Sequence, residues 1–148
     1  MSTLYVLDTN ICSYIMRKHP AQVLERLEQE AGQGARLCIS VITYYEMLLG
    51  ARRKPSLQPI IDAFVARTND VLPWGPEAAR VAADLSRQLQ DKGQPIGPND
   101  TVIAAHTLAL NATLVTNNLK EFRRVEGLAI EDWVSSVVID ASGQESTR

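Results

Sequence analysis

The sequence contains few cysteines and histidines, the residues that bind metals through sulfur or nitrogen and that often transfer protons. Its 148 residues include two cysteines, Cys12 and Cys38, and two histidines, His19 and His106. Two cysteines match neither the spacing of a zinc site nor a disulfide framework, so we predict buried thiols in a reducing compartment. His19 precedes a proline at a predicted helix end and His106 lies within a predicted buried helix, so we interpret both as structural.

Positive charge and long apolar runs are also missing. Lysine and arginine total 15 against 17 acidic residues, a net charge of −2, so a polyanionic partner would need a local basic patch or a metal ion. No apolar run approaches the ~20 residues of a membrane span. The N-terminus shows no basic segment followed by an apolar stretch, so we expect no secretory signal and a cytoplasmic location.

Short apolar strands alternate with amphipathic helices along the chain. The predicted strands are Leu4–Leu7, Arg36–Ile39, Asp70–Leu72, Thr113–Val115 and Leu128–Glu131. The predicted helices are a first helix ending before Pro20, Ala21–Ala31, Val41–Arg52, Pro55–Arg67, one carrying Ala78 to Leu89, one after Gly97-Pro98, and Leu119–Phe122. This alternation predicts a three-layer α/β/α fold with a central parallel sheet. We expect one domain over residues 1–134 and a polar tail, 135–148, that frays.

The stretch 97–122 is the centre of this pattern. After Gly97-Pro98, Asn99 is the predicted N-cap of a buried helix rich in small and apolar residues, and Asn111 closes that helix. Asp100, in the first turn, either caps the helix or binds a cation.

Two further carboxylates stand out. Asp8 directly follows the first strand, where it either caps the next helix or contributes to a site. Glu46 falls on a predicted buried stripe with Ile42, Tyr45, Leu48 and Leu49. A core-facing carboxylate costs several kcal/mol unless a charge compensates it. A salt bridge to Arg17, Arg52 or Arg53 is the alternative to a bound cation.

Parallel sheets bind ligands beyond the carboxyl ends of their strands. That rule predicts convergence of Asp8, Glu46 and Asp100 with the amides Asn117 and Asn118, which follow the strand at Thr113–Val115. Carboxylates that converge repel one another, and oxygen ligands without His or Cys favour Mg²⁺ or Mn²⁺.

Four blocks carry a resemblance to a known family: Leu-Asp-Thr-Asn (7–10), the Glu46 that ends Ile-Ser-Val-Ile-Thr-Tyr-Tyr-Glu (39–46), Ile-Gly-Pro-Asn-Asp (96–100) and Leu-Val-Thr-Asn-Asn (114–118). In order and spacing they resemble the PIN-domain ribonucleases, and within them the VapC toxins of bacterial toxin–antitoxin pairs, from about Leu4 to Trp133. The resemblance implies a Mg²⁺- or Mn²⁺-dependent endoribonuclease.

By position, the resemblance makes Asp8, Glu46 and Asp100 the catalytic and metal-binding acids, supported by Asn10 and Thr116. Asn118 stands where many family members have a fourth Asp. We therefore expect the acidic cluster to carry three negative charges and to hold a second ion weakly, if at all.

The resemblance also implies partners: a VapB-like antitoxin, an RNA substrate such as a tRNA, and a second copy of the chain, with no membrane. The expected antitoxin groove is lined by apolar residues of the first two helices: Ile11, Tyr14, Ile15, Val23 and Leu27. The helices at 41–49 and 78–89 are the expected dimer surfaces. Three basic clusters are candidate RNA contacts: Arg17-Lys18, Arg52-Arg53-Lys54, and Lys120 with Arg123-Arg124.

Two other interpretations remain open at this point. A haloacid-dehalogenase-like phosphatase needs Asp-x-Asp where this chain has Asp8-Thr9-Asn10, and a response-regulator receiver needs an acidic pair and a late lysine that are not evident. A non-catalytic PIN-like module that binds RNA or protein would usually have lost acids that this chain keeps.

Overall fold

The computed structural model describes residues 2–148 and contains one seven-stranded sheet with helices on both faces. The strands are β1 (Leu4–Leu7), β2 (Arg36–Ser40), β3 (Asp70–Leu72), β4 (Thr113–Val115), β5 (Ala129–Asp132), β6 (Val137–Ile139) and β7 (Glu145–Thr147). The helices are α1 (Thr9–Arg17), α2 (Ala21–Gly32), α3 (Val41–Arg53), α4 (Gln58–Arg67), α5 (Pro76–Asp91), α6 (Pro98–Ala109) and α7 (Leu119–Phe122).

The strand order is β3-β2-β1-β4-β5-β6-β7, and the first five strands in that order are parallel. The chain builds the sheet outward from β1 in one direction and from β4 in the other. The boundary between β1 and β4 is therefore the topological switch point, where open α/β sheets form their ligand sites. At this boundary the Asp8 amide donates to the Val115 carbonyl at 2.9 Å.

The sheet separates two apolar cores, as the predicted three-layer architecture requires. One core packs α5, α6 and α7 against one face and includes Leu85, Ile103 and Phe122. The other packs the first four helices against the opposite face and includes Ile11, Val23 and Phe64. The predicted fold class is confirmed. Cys12 and Cys38 are free buried thiols in different cores.

Helix α6 confirms most of the prediction for the central stretch, but its start differs. Gly97 is the N-cap and Pro98 the first helical residue, so Asn99 lies inside the helix rather than capping it. Proline suits that first position because it has no amide proton to satisfy. Asn111 adopts the left-handed conformation, with φ 51°, just beyond the helix, as predicted.

Two predictions about helix faces are wrong. Tyr45 and Leu49 of α3 are 60% and 39% exposed, and the buried residues of that helix are Thr43, Met47 and Ala51. The α3 stripe was misassigned because both faces of this helix carry apolar residues.

The predicted helix over 55–67 is also divided. A 3-10 turn at Pro55–Leu57 precedes α4, because Pro59 lacks the amide that a continuous helix would need. Ile60, assigned to the buried stripe, is 47% exposed.

The segment expected to fray instead forms β6 and β7, which extend the sheet in antiparallel pairing. A turn closes this hairpin, with Asp140 accepting from the amides of Ser142 and Gln144, and with Gly143 at φ 89°. Aspartate at the start and glycine at the end of four residues favour such a turn. The terminal Arg148 also pairs with Glu30 at 3.1 Å.

Over residues 2–148, no helix has the length and apolar character that a membrane crossing requires.

Candidate active site

Asp8 lies at the switch point, buried, between the end of β1 and the start of α1. Its side chain caps α1 by accepting from the Thr9 amide at 2.8 Å, and it accepts from the Thr116 hydroxyl at 2.9 Å. Burial raises the pKa of Asp8 against these two hydrogen bonds, and the charge of Glu46 raises it further. The Asp8 carboxylate therefore caps α1 and also lies at the predicted site, so the two alternatives do not exclude one another.

Glu46 reaches the same edge from α3. One carboxylate oxygen accepts from the Thr9 hydroxyl at 2.8 Å and the other accepts from the Asn99 side-chain amide at 3.1 Å. None of the salt bridges found among residues 2–148 includes Glu46, so the predicted alternative of an arginine partner is not realised. Neutral donors hold its charge at the site.

Asp100 completes the predicted set and brings a fourth acid with it. Its pKa is raised to about 7, first by burial, then by a hydrogen bond with Glu121, and then by the charges of Asp8, Glu121 and Glu46. The pKa of Glu121 is lowered, chiefly by the hydrogen bond from Asp100 and next by one from Asn118. The opposite directions of the two pKa shifts indicate that the pair shares a proton, with Asp100 as the weaker acid.

Glu121 is the site residue that sequence reasoning missed, and it changes the interpretation of Asn118. The Asn118 side-chain amide donates to Glu121 at 2.8 Å, so Asn118 positions an acid instead of replacing one. Glu121 adds a fourth carboxyl group to the three that were predicted, and the expectation of three negative charges stays a prediction. A signal was present in the sequence: Glu121 follows Asn118 by three residues, one turn along a helix.

The remaining predicted support residues divide into two groups. Thr116 is buried and links two parts of the site, since its hydroxyl donates to Asp8 and accepts from the Asn118 amide at 3.0 Å. Asn117 donates to the Tyr14 hydroxyl at 3.2 Å and so faces α1. Asn10 is exposed, and it is the neighbouring Thr9 that contacts Glu46.

The donor set suits a hard divalent cation. Four carboxyl groups with amide and hydroxyl neighbours, and no His or Cys, are the ligands that Mg²⁺ and Mn²⁺ prefer. Burial raises the pKa of Asp100 most, and the charges of Asp8, Glu121 and Glu46 raise it further, so a bound cation would relieve part of this cost. Among residues 2–148, no three Asp, Glu, His or Cys side chains form a ready group of metal ligands. Thr9 and Asn99 donate to Glu46, and Asn118 donates to Glu121.

The two histidines have different environments and do not form an acid–base pair. His19 is exposed at the end of α1, whereas His106 is buried in α6 and contacts Ser40. A ribonuclease that uses the 2′-hydroxyl as its nucleophile would need two such groups at one site.

Comparison with known proteins agrees with this architecture. The family model described as PIN domain matches residues 5–128, so the chain contains a PIN domain. The chain is 38% identical to a tRNA(fMet)-specific endonuclease VapC from Shigella flexneri, covering 87% of this chain and 97% of that relative. It is also 38% identical to ribonuclease VapC2 from Rickettsia felis, covering 88% and 98%.

Among solved structures, VapBC2 from Rickettsia felis, bound to a DNA fragment from their promoter, superposes with a TM-score of 0.82. The identity is 37%, over 88% of this chain and 99% of that one. The chain therefore belongs to the VapC family of PIN-domain proteins.

Proposed function

We propose that this chain is a divalent-metal-dependent endoribonuclease and the toxin of a toxin–antitoxin pair. The observation that carries the proposal is the group of four acids, Asp8, Glu46, Asp100 and Glu121, at the switch point of the sheet. The names of the relatives, which include ribonucleases and an endonuclease specific for a tRNA, support RNA as the substrate.

Asp8 and Asp100 are the proposed principal ligands of Mg²⁺, or of Mn²⁺ in its place, with Glu46 and Glu121 completing the set. Such an ion, when bound, supplies a water of lowered pKa and neutralises charge that builds on the scissile phosphate. The proton that Asp100 shares with Glu121 must leave first, because carboxylates bind cations in the ionised form. Thr116 and Asn118 hold Asp8 and Glu121 in place, and Glu46 orients the attacking water.

A structured RNA of the tRNA class is the proposed substrate, because the Shigella flexneri relative is named for one. The exposed Arg17 and Lys18 end the helix that Asp8 begins. Lys120 precedes Glu121 on α7, and Arg123 caps that helix and pairs with Glu145 at 3.0 Å. These cations would neutralise the RNA backbone on both sides of the acids, and in a chain of net charge −2 such binding should weaken steeply with salt.

Sequencing of RNA 5′ ends after induction in bacterial cells tests this substrate assignment. We expect new 5′ ends to appear within minutes at one or two positions in a single tRNA species. Cells that express Asp8→Asn at matched levels should lack them. New ends scattered across messenger RNA, or equal in the variant, would contradict a tRNA-directed nuclease.

The proposed antitoxin surface lies between α1 and α4 rather than only between α1 and α2. Ile11 and Val23 of the predicted groove are fully buried and cannot contact a partner. A cleft beside them is lined by the apolar residues Ile15, Met16, Pro59, Ile60, Ala63 and Phe64 and by two cations, Lys18 and Arg67. An amphipathic helix with acidic residues beside its apolar stripe would fit this surface.

The proposed dimer surface lies on α3. Tyr45 and Leu49 are four residues apart, on one face of the helix, and both are exposed. Large exposed side chains four residues apart are neighbours on the helix surface and suit a symmetric helix-to-helix contact.

Charge substitutions on the two surfaces provide controls for one another. Each variant is co-expressed with the small protein encoded beside it and purified by affinity. Ile60→Asp should retain about tenfold less of this partner, because a charge buried in the interface costs more than about 1.4 kcal/mol. Tyr45→Asp should retain the partner but sediment at lower mass. Unchanged partner retention in Ile60→Asp, or unchanged mass in Tyr45→Asp, would remove the corresponding surface.

A further inference from the structure

A buried polar contact joins α6 to the start of α3, away from the acids. His106 Nδ1 lies 2.8 Å from Ser40 Oγ, and the two residues are 2% and 0% exposed. Ser40 is the last residue of β2 and the N-cap of α3, and its hydroxyl accepts from the Ile42 amide at 3.1 Å. The Ser40 hydroxyl, at the end of β2, therefore caps α3 and also contacts His106.

The contact with Ser40 is the one hydrogen bond of ordinary geometry that the His106 ring makes within residues 2–148. Burial lowers the pKa of His106, against a smaller opposite effect of the Pro73 carbonyl, so the ring is neutral. Its Nε2 has no partner of acceptable hydrogen-bond geometry among residues 2–148. An unsatisfied buried nitrogen costs about 1–3 kcal/mol, so a packed apolar side chain would serve stability better. Stability alone therefore does not explain why a histidine that contacts Ser40 occupies this position.

The geometry of α3 and α6 gives that reason. Glu46 follows Ser40 by six residues, and Asn99 precedes His106 by seven. Asn99 donates to Glu46, so the two helices cross-link at both ends of an antiparallel contact. Six helical residues span about 9 Å, and a helix transmits displacement over that length almost rigidly. A shift at Ser40 therefore moves Glu46 relative to Asp100, which lies beside Asn99.

We propose that Ser40 and His106 are positioning residues, whose buried hydrogen bond sets α3 against α6 and so fixes Glu46 relative to Asp100. The inference rests on the proposed function, since it concerns the same acids. Neither residue is among the proposed ligands, and both are buried. Both act through the helices that carry the acids, and tolerances at such sites are about 0.5 Å.

Two variants remove the contact and two matched controls leave it in place. Ser40→Ala removes the hydroxyl and His106→Phe removes the ring nitrogen. Ser40→Thr keeps the hydroxyl. Thr107→Val removes a buried hydroxyl that bonds only within α6, to the Ile103 carbonyl at 2.9 Å.

With total bacterial tRNA and Mn²⁺, Ser40→Ala and His106→Phe should lower kcat about tenfold or more while KM stays within about twofold. Calorimetry should show Mn²⁺ affinity about tenfold weaker in both, and the double variant should be no worse than either single one. Ser40→Thr and Thr107→Val should match the wild type in both measurements. If the contact is purely structural, Ser40→Ala and His106→Phe should lower the melting temperature but leave kcat and Mn²⁺ affinity unchanged.

A wild-type protein that cleaves tRNA, with kcat and Mn²⁺ affinity unchanged in Ser40→Ala, would overturn the positioning role. So would equal losses in Thr107→Val. If the wild type binds Mn²⁺ but does not cleave RNA, the proposed function fails and the Mn²⁺ affinities still decide the positioning role. If His106→Phe is unfolded by circular dichroism, Ser40→Ala against Ser40→Thr gives the decision.

Discussion

Asp8→Asn and Asp100→Asn are each expected to lower RNA cleavage by about 1,000-fold, because each removes a charge from the group that holds the ion and stabilises the transition state. Asparagine keeps the shape of both side chains. At position 8 it still accepts from the Thr9 amide and so still caps α1. At position 100 it still donates to Glu121, as the protonated aspartate does.

The same substitutions should leave the metal-free fold as stable as the wild type or more so. The Asp100 pKa rises from 3.8 unfolded to about 7 folded, so the fold binds this proton more tightly. The associated stability is fully present below pH 3.8 and is lost as the pH rises through 7. Asp100→Asn lacks this loss, and its free energy of unfolding relative to wild type should increase between pH 5 and pH 8.

Cleavage assays and urea unfolding at both pH values, without divalent cations, measure these effects. Asp84→Asn is an exposed substitution of the same type on α5. It should change neither RNA cleavage nor the pH dependence of the free energy of unfolding. Cleavage by Asp8→Asn within tenfold of wild type would be inconsistent with the proposed ion-binding role. A stability difference that is the same at both pH values would be inconsistent with a raised pKa for Asp100.

The second large effect concerns stability and involves Arg26 of α2, on the face of the sheet that the first four helices cover. Arg26 donates to Glu30 at 3.0 Å and to Glu131 at 2.8 Å, and its guanidinium lies 5.7 Å from the Trp133 ring centroid. Glu131 also accepts from the Tyr5 hydroxyl at 3.1 Å. Burial, followed by the charge of Glu131, raises the pKa of Tyr5 to about 12.

Arg26→Met should lower the free energy of unfolding by about 3–5 kcal/mol, because it leaves two buried carboxylates without their main partner. Arg148 also contacts both glutamates, but its side chain is 47% exposed and compensates only in part. Urea unfolding of the metal-free protein at pH 7 measures the loss.

Further substitutions separate the lost charge pair from lost packing. Adding Glu30→Gln and Glu131→Gln to Arg26→Met should recover part of the stability, since no unpaired charge remains. Arg87→Met breaks only an exposed pair with Asp91 and should change stability by less than about 0.5 kcal/mol. A loss below 1 kcal/mol in Arg26→Met, or no recovery in the triple variant, would show that the buried charges do not control stability here.

The sequence allowed the fold and three of the four acids to be predicted for local reasons. Asp8 follows a strand directly, and Asp100 opens a helix whose other residues are small or apolar, so both carboxylates stand out. The rule that parallel strands present their ends at one edge then places them together. The identification of Asp8, Glu46 and Asp100 as ligands stays a prediction until an ion is measured.

The sequence was less informative where contacts between distant elements decide the structure. Glu46 was assigned to the site on the basis of a stripe that is in fact partly exposed, and its real partners, Thr9 and Asn99, come from two other helices. Glu121 lies among Lys120, Arg123 and Arg124 and resembled a solvated helix end. The hairpin of β6 and β7 depends on a turn at Asp140 that composition alone did not reveal.

The most direct test of the proposed function is the chemical nature of the RNA ends that the purified protein makes. With Mn²⁺, mass spectrometry of a cleaved tRNA should show linear monophosphate ends, with one oxygen from solvent when the reaction runs in ¹⁸O-water, because water is the nucleophile. EDTA should stop the reaction and added Mn²⁺ should restore it. Ends that carry a 2′,3′-cyclic phosphate, or cleavage undiminished by EDTA, would contradict a metal-activated water held by Asp8, Glu46, Asp100 and Glu121.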